Sequence, residues 1–204
     1  MSLPLVHREA SFSRSPQMSN FSEALDQMRG ELTGVLAQLT PEMAETLIKE
    51  LEAAPRIFGC ATGRSGYILR GFLMRLMHLG FSVYVVGETI TPRIRPGDLL
   101  IVMSGSGETA QPREILRRAN AVGARTLALT ANASSTIGGE AQVSIIIPGT
   151  TKLTLVQEPH SAQCPGSLFE QASFLFLEAV VLILYQPHSG RDQGEVLARH
   201  TDLE

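Results

Sequence analysis

The sequence contains no tryptophan, only two cysteines and no cluster of basic residues. Its 17 lysines and arginines are outnumbered by 20 acidic residues, which leaves a net charge of -3 and no evident source of attraction to nucleic acid phosphates. Cys60 and Cys164 belong neither to a CxxC pair nor to a metal-ligand pattern, and such sparse cysteine use is typical of a reducing cytoplasm. These scarcities disfavour a DNA-binding protein and a disulfide or metal scaffold.

Long hydrophobic runs are also scarce. The longest, residues 173–185 (SFLFLEAVVLILY), is interrupted by Glu178 and is too short to cross a bilayer, so we interpret it as a buried or subunit-interface helix. Residues 1–17 lack the charged-then-apolar order of a signal peptide, and we predict a flexible leader over residues 1–20. The polar stretch 187–204 is predicted to be a partly disordered C-terminal tail.

Short apolar runs recur through the middle of the chain. Runs that are apolar at every position, rather than at alternate positions, are typical of parallel sheets covered on both faces. We therefore predict a parallel sheet with strands at residues 56–61, 82–86, 99–104, 126–130 and 143–148.

Helical periodicity fills the segments around these runs. Residues 21–51 form two amphipathic helices that separate near Pro41, and residues 65–80 and 109–123 each end at a glycine suited to a helix C-cap. Strands and helices that alternate in this way indicate a doubly wound α/β architecture. The chain of 204 residues, 44% of them hydrophobic, fits one such domain, which we place at residues 21–186.

Two Gly/Ser loops fall at predicted strand ends: residues 61–66 (ATGRSG) after the first strand and residues 104–109 (SGSGET) after the third. Open α/β sheets bind ligands at the carboxyl ends of their strands, where helix N-termini favour anions. Ser104, Ser106 and Thr109 offer hydroxyls that can cradle a phosphate, and Thr109 can also cap the next helix. Neither loop is a nucleotide fingerprint, because a P-loop lysine and a GxGxxG register are both missing. On pattern alone, a phosphate site and an ordinary turn both stay open.

Three segments together resemble a known family. The SGSGET loop with ATGRSG upstream is similar to a sugar isomerase (SIS) domain, and residues 72–92 (FLMRLMHLGFSVYVVGETITP) narrow the resemblance to 6-phospho-3-hexuloisomerases. Residues 165–181 (PGSLFEQASFLFLEAVV) resemble that family's C-terminal signature, in which this run opens the last helix. The likeness extends over about residues 21–186.

The resemblance implies a fold, an activity and an assembly. It implies a flavodoxin-like α/β/α sandwich with a five-stranded parallel sheet and N-terminal helices, assembled as a homotetramer. It implies an isomerase that interconverts D-arabino-3-hexulose 6-phosphate and D-fructose 6-phosphate through an enediol(ate), without a metal or organic cofactor. The expected role is in the ribulose monophosphate pathway of formaldehyde assimilation or detoxification, with 3-hexulose-6-phosphate synthase as functional partner.

The resemblance implies that Ser104, Ser106 and Thr109 hold the phosphate and that Ser65 and the backbone of Gly63 and Gly66 lie close to the sugar. Two charged residues of the same loops are further candidates. Arg64 is expected to steady the phosphate or the enediolate oxygen, although a surface ion pair would equally explain it. The carboxylate of Glu108 would repel a neighbouring phosphate, so its simpler role is to stabilise a helix N-terminus. We also retain Glu108 as a contact to a sugar hydroxyl. The expected substrate-binding residues are Gly63, Arg64, Ser65, Gly66, Ser104, Gly105, Ser106, Glu108, Thr109 and Ser167.

The reaction requires a base that removes the proton from C2. Glu170, at the position of the signature's glutamate, is our first choice, and its alternative role is to stabilise the first turn of its helix. His78 is the second candidate, since the surrounding RLMHLGF matches the family and a tetramer could bring it to a neighbouring subunit's site. Its alternative role is that of a packed or interface residue. His160 is a possible substitute for it.

Two other functions stay open. One is isomerisation of another phosphosugar, such as arabinose 5-phosphate or sedoheptulose 7-phosphate, because Cys164 before the signature departs from the family pattern. The other is a non-catalytic phosphosugar sensor. A sensor has no need of a base at Glu170, so that residue discriminates between the two classes.

Overall fold

The structure, a computed structural model, describes residues 20–151, 161–186 and 193–200. The predicted leader lies almost wholly outside the described residues, as does His160.

Five parallel strands form one sheet in the order β2-β1-β3-β4-β5. All five predicted strands are confirmed, each within two residues of its expected ends. The strands are β1 (Ile57–Ala61), β2 (Val83–Val85), β3 (Leu99–Met103), β4 (Arg125–Thr130) and β5 (Val143–Ile146).

Seven helices are present in the described part of the chain. The two N-terminal helices separate where Pro41 opens the second, as the sequence predicts. Two short helices were not predicted: α5, a single turn between β4 and β5, and α7, which lies within the stretch expected to be a tail. The helices are α1 (Phe21–Leu36), α2 (Pro41–Ala53), α3 (Gly63–His78), α4 (Ala110–Ala121), α5 (Thr136–Glu140), α6 (Ser167–Tyr185) and α7 (Gln193–Ala198).

Both faces of the sheet are covered, which explains why its strands are apolar throughout. Along β3, Ile101 faces the core shared with α2, α3 and α6, while Leu100 and Val102 face a second core shared with α4 and α5. All three side chains are fully buried. Since side chains alternate across a strand, only an unbroken apolar run can fill two cores. The molecule is therefore an α/β/α sandwich, as predicted.

The strand order brings the two Gly/Ser loops together. β1 lies beside β3, and Ala61 at the end of β1 is in register with Met103 at the end of β3. The chain leaves β1 toward one side of the sheet and β3 toward the other, which creates the crevice where open α/β sheets bind ligands. Helix α6 packs against α3, so its N-terminus reaches the same crevice.

Helix α6 contains the longest apolar run of the sequence. It is long and apolar enough to span a membrane, but half of that stretch is buried within this domain, as in a core helix. Phe169, Leu177 and Val180 all belong to the core that α6 shares with α2 and α3. Leu182 and Ile183 on its other face are 58% and 50% exposed.

Candidate active site

A cavity of about 140 Å³ opens at the carboxyl ends of β1 and β3. Its walls are the start of α3, the loop between β3 and α4, and the start of α6. Most of the expected site residues line it, which brings together three segments that are far apart in the sequence. These residues are Gly63, Arg64, Ser65, Ser104, Gly105, Ser106, Thr109 and Glu170.

The β3–α4 loop, residues 104–109, holds its hydroxyl groups close to one another. The Oγ of buried Ser104 lies 2.9 Å from Oγ1 of Thr109 and accepts a hydrogen bond of 3.2 Å from the backbone N–H of Gly107. The Ser106 Oγ accepts a bond of 3.3 Å from the Glu108 N–H. The Thr109 hydroxyl is thus engaged with Ser104 rather than with the backbone of α4, although Thr109 is the residue that precedes this helix.

The loop needs glycine at two positions for different reasons. Gly107 has a φ of +67°, a conformation that other residues adopt only with strain. Gly105 has no such strain, but a Cβ there would lie 2.9 Å from a ring carbon of Phe169 on α6. The loop therefore turns sharply and also packs directly against the helix that carries Glu170.

Glu170 reaches the cavity from the first turn of α6. The turn before it contains Gly166 in the left-handed region, with a φ of +93°, and the Glu170 N–H bonds to the Gly166 carbonyl at 3.0 Å. The Glu170 side chain is only 13% exposed, and its Oε2 lies 2.7 Å from Nε of Arg64, whose side chain is 69% exposed. The two groups form an ion pair without the alignment of a hydrogen bond, so Oε2 is buried with no hydrogen-bond donor among the described residues.

The carboxylate of Glu108 points away from the cavity. It is not among the described residues that line it, and both oxygens bond to Thr136 at the start of α5: Oε1 accepts from the backbone N–H at 2.6 Å and Oε2 from the hydroxyl at 2.7 Å. These two bonds, together with Arg113 at 3.7 Å, hold the pKa of Glu108 below its usual range. Stabilisation of a helix start, the simpler role considered for Glu108, thus has direct contacts, although the helix is α5 rather than α4.

The chain matches known proteins over this fold and site. The family model of the SIS domain covers residues 50–162. A 3-hexulose-6-phosphate isomerase of Mycobacterium gastri is 40% identical over 180 residues, which cover 88% of this chain and 89% of the relative. A protein of the same name from Bacillus subtilis is 37% identical over 183 residues, covering 90% and 98%. The chain belongs to the 3-hexulose-6-phosphate isomerase family of SIS proteins.

A solved structure supports the same family. A hypothetical protein from Methanococcus jannaschii, for which a 3-hexulose-6-phosphate isomerase function has been inferred, superposes with a TM-score of 0.76. The two chains are 31% identical, and the match covers 89% of this chain and 99% of the other. The family expected from the three sequence segments is thereby confirmed.

Two further residues, predicted from the sequence to bind the substrate, lie just outside the cavity. Gly66 allows a close approach of α3 to the sheet, since a Cβ there would lie 3.2 Å from the carbonyl oxygen of Ala61. Ser167 begins α6, is buried, and donates its backbone N–H to the carbonyl of Cys164 at 2.9 Å. Neither Gly66 nor Ser167 is among the described residues that line the cavity.

His78, the second candidate for the family's acid or base, lies elsewhere in this chain. It ends α3, is 5% exposed, and stacks on His200 with ring centroids 3.8 Å apart. Its Nδ1 has no hydrogen-bond partner among the described residues, and burial, followed by the charges of His200 and Arg75, lowers its pKa. It lines a separate cavity of about 300 Å³ between α3, α6 and α7, whose described lining shares no residue with the cavity of Glu170.

Sequence reasoning missed several residues that line the cavity of Glu170. Thr62 stands in the ATGRSG loop and was open to prediction by the same argument as Ser65. Phe169, on α6, stands beside Glu170 in the C-terminal signature and was open to prediction from it. Thr151, after β5, belongs to no recognisable pattern, because only the fold brings it to the crevice. The described residues contain no group of three or more histidines, cysteines or acidic residues that could hold a metal ion.

Proposed function

We propose that this chain is an isomerase that interconverts D-arabino-3-hexulose 6-phosphate and D-fructose 6-phosphate. The observation that carries the proposal is the position of Glu170, a largely buried carboxylate that faces a hydroxyl-lined loop across one cavity. The chain that builds this cavity is 37% to 40% identical to relatives bearing the name of that isomerase.

The phosphate is assigned to the β3–α4 loop. Ser104, Ser106 and Thr109 present hydroxyls at the N-terminal side of α4, whose free backbone N–H groups add partial positive charge. The start of α3, with Ser65 and the backbone of Gly63, faces the same space and is assigned to the sugar. A phosphosugar held in this way has its carbon chain directed toward α6.

Glu170 is assigned as the base. Moving the carbonyl from C3 to C2 requires removal of the C2 proton, formation of an enediolate and return of a proton to C3. A single carboxylate can carry out both transfers. Apart from the ion pair with Arg64, Oε2 of Glu170 accepts no hydrogen bond from the described residues, which leaves its lone pairs for the substrate proton. Arg64, 2.7 Å from Oε2, is assigned to the enediolate oxygen or the phosphate, because a cation there offsets the negative charge that develops.

The wider context of the reaction is also a proposal. We place the enzyme in the cytoplasm, in the ribulose monophosphate pathway, with 3-hexulose-6-phosphate synthase acting on the neighbouring step. A homotetramer is supported by apolar side chains exposed on three helices, including Phe21 at 80%, Met74 at 47% and Leu182 at 58%. In such an assembly His78 is assigned to a site that includes a second subunit.

Deuterium exchange tests the reaction and its base together. The protein is mixed with D-fructose 6-phosphate in D2O, and deuterium entry at carbon is followed by NMR, beside Glu170→Gln and the control Glu88→Gln. Glu88 forms an exposed ion pair with Arg70 and does not line the cavity among the described residues, so its variant should behave as wild type. We expect exchange and 3-hexulose formation in the wild type and control, and neither in Glu170→Gln.

The other outcomes separate the alternatives. Exchange that persists in Glu170→Gln would assign the base to His78 or His160 instead. No exchange in the wild type, with the phosphosugar still bound, would contradict the isomerase and favour another substrate or a phosphosugar sensor. Arabinose 5-phosphate and sedoheptulose 7-phosphate, offered in the same assay, distinguish these two.

A further inference from the structure

The β3–α4 loop rests on residues 130–137, which run from the end of β4 to the first turn of α5. The carbonyl of Gly105 accepts hydrogen bonds from the Ala131 N–H at 3.0 Å and the Thr130 hydroxyl at 3.2 Å. The carbonyl of Gly107 accepts one from the Ile137 N–H at 3.0 Å. Two backbone N–H groups and one side-chain hydroxyl therefore hold the Gly105 and Gly107 carbonyls of the β3–α4 loop.

Glu108 adds a charged side-chain contact between the same two segments. Its carboxylate bonds to the N–H and the hydroxyl of Thr136, at 2.6 and 2.7 Å, across 28 positions of sequence. Its own N–H bonds to the Ser106 hydroxyl, and the residue after it is Thr109. A change at position 108 is therefore transmitted directly to two of the three hydroxyls assigned to the phosphate.

The direction of the carboxylate also matters for the charge at the site. An ionised glutamate beside a phosphate would repel it. Here both oxygens are satisfied by Thr136 on the far side of the loop, and Arg113 lies 3.7 Å from one of them. The structure thus keeps a negative charge in the SGSGET loop and turns it away from the ligand.

We propose that Glu108 is a positioning residue that fixes the phosphate-binding hydroxyls of Ser106 and Thr109 by anchoring their loop to Thr136. This role rests on the proposed function only in that the ligand is taken to be a phosphosugar. It differs from a direct sugar contact, because Glu108 acts through the loop and touches no ligand atom. It predicts that Glu108 governs affinity for the phosphate and not the rate of proton transfer.

Binding and kinetics of three variants test the role. Glu108→Ala removes both bonds, Thr136→Val removes only the hydroxyl bond, and Glu108→Gln keeps one carbonyl acceptor and an amide that can donate to the Thr136 hydroxyl. The Kd for D-fructose 6-phosphate is measured by calorimetry, kcat and KM by the isomerase assay, and folding by circular dichroism. The matched control is Glu140→Gln, which breaks an ion pair of α5 with Arg117 on α4 and removes no hydrogen bond of the β3–α4 loop.

We expect Glu108→Ala to raise Kd and KM about tenfold or more while kcat falls less than threefold, since two hydrogen bonds to a charged group are lost. Thr136→Val should raise Kd about threefold, Glu108→Gln should retain most of the affinity, and Glu140→Gln should match the wild type. If Glu108→Ala fails to fold, Thr136→Val carries the test, because it leaves the backbone bond of Glu108 in place.

Two results would overturn the role. One is a Kd for Glu108→Ala and Thr136→Val equal to that of Glu140→Gln, which would leave Glu108 as an ordinary surface contact. The other is a loss of kcat with unchanged Kd, which would place Glu108 in the reaction. Because calorimetry detects binding whether or not turnover follows, a wild type that binds the phosphosugar but does not isomerise it contradicts the proposed function and still tests the positioning role.

Discussion

Replacing Arg64 by glutamine separates the contribution of its guanidinium to the stability of the fold from its contribution to the reaction. The guanidinium lies 2.7 Å from Oε2 of Glu170, yet the Arg64 side chain is 69% exposed. Solvent therefore screens the pair, and exposed ion pairs contribute about 0 to 1 kcal/mol to the free energy of unfolding. We expect Arg64→Gln to unfold at nearly the same urea concentration as the wild type.

The effect on the reaction should be much larger. Among the described residues, Glu170 is the only ion-pair partner of Arg64, so the remaining guanidinium N–H groups are available to the substrate. A hydrogen bond to a charged group contributes about 1.5 to 3 kcal/mol, and each 1.4 kcal/mol is about tenfold in rate, so kcat/KM should fall roughly 10- to 150-fold. The kcat/KM of Arg64→Lys should lie between those of the wild type and Arg64→Gln, because lysine keeps the charge and loses the planar set of donors.

The measurement combines steady-state kcat/KM with urea unfolding followed by circular dichroism. Arg70→Gln is the matched control, since Arg70 lies on the same helix and forms an exposed ion pair with Glu88. A loss of less than threefold in kcat/KM for Arg64→Gln would refute a contact with the substrate. A loss of more than about 2 kcal/mol in unfolding free energy would refute the screening argument.

Three further predictions follow from burial and backbone geometry. Burial raises the pKa of the Cys60 thiol to about 11, so a thiol reagent at pH 8 should modify only exposed Cys164 in the native protein and both cysteines in denaturant. Because the pKa of His78 is lowered in the fold, the unfolded chain takes up the proton first as pH falls through about 6.5. The melting temperature should therefore be lower at pH 5.5 than at pH 7.5, and this difference should be smaller in His78→Gln than in the wild type. Gly107 has a φ of +67°, and a Cβ there would meet the side chain of Ser135. Gly107→Ala should therefore lower the unfolding free energy by about 1 to 2 kcal/mol or more, and it should also weaken phosphosugar binding.

The sheet could be predicted because each strand carries its own signal. In β3 every residue is buried, so the run LLIVM is apolar at every position and predicts a covered parallel strand without further information. Helices α3 and α4 have one face on the sheet and one in solvent, which produces the helical periodicity of residues 65–80 and 109–123.

The remaining features depend on contacts that no local pattern records. Helix α5 (TIGGE) is one turn with two glycines, and its start is fixed by Glu108, 28 positions earlier. His78 was weighed as an acid or base on its neighbours in sequence, but its environment is set by His200, which stands in a predicted tail. The Glu108–Thr136 and His78–His200 pairs form only in the fold, and no motif of either partner indicates them.

Glu170 is the residue that distinguishes a catalyst from a binding protein. If the cavity binds a phosphate, as we propose, a carboxylate within it weakens binding, because like charges repel and the carboxylate is only 13% exposed. The nearby Arg64 offsets part of this cost, but it is itself largely in solvent. If the site evolved only to bind, glutamine at position 170 would serve it better. We therefore expect Glu170→Gln to bind D-fructose 6-phosphate at least as tightly as the wild type while losing its turnover, and calorimetry on the two proteins measures this. Weaker binding by the variant would mean that Glu170 holds the sugar rather than its proton, and the assignment of the base would then be wrong.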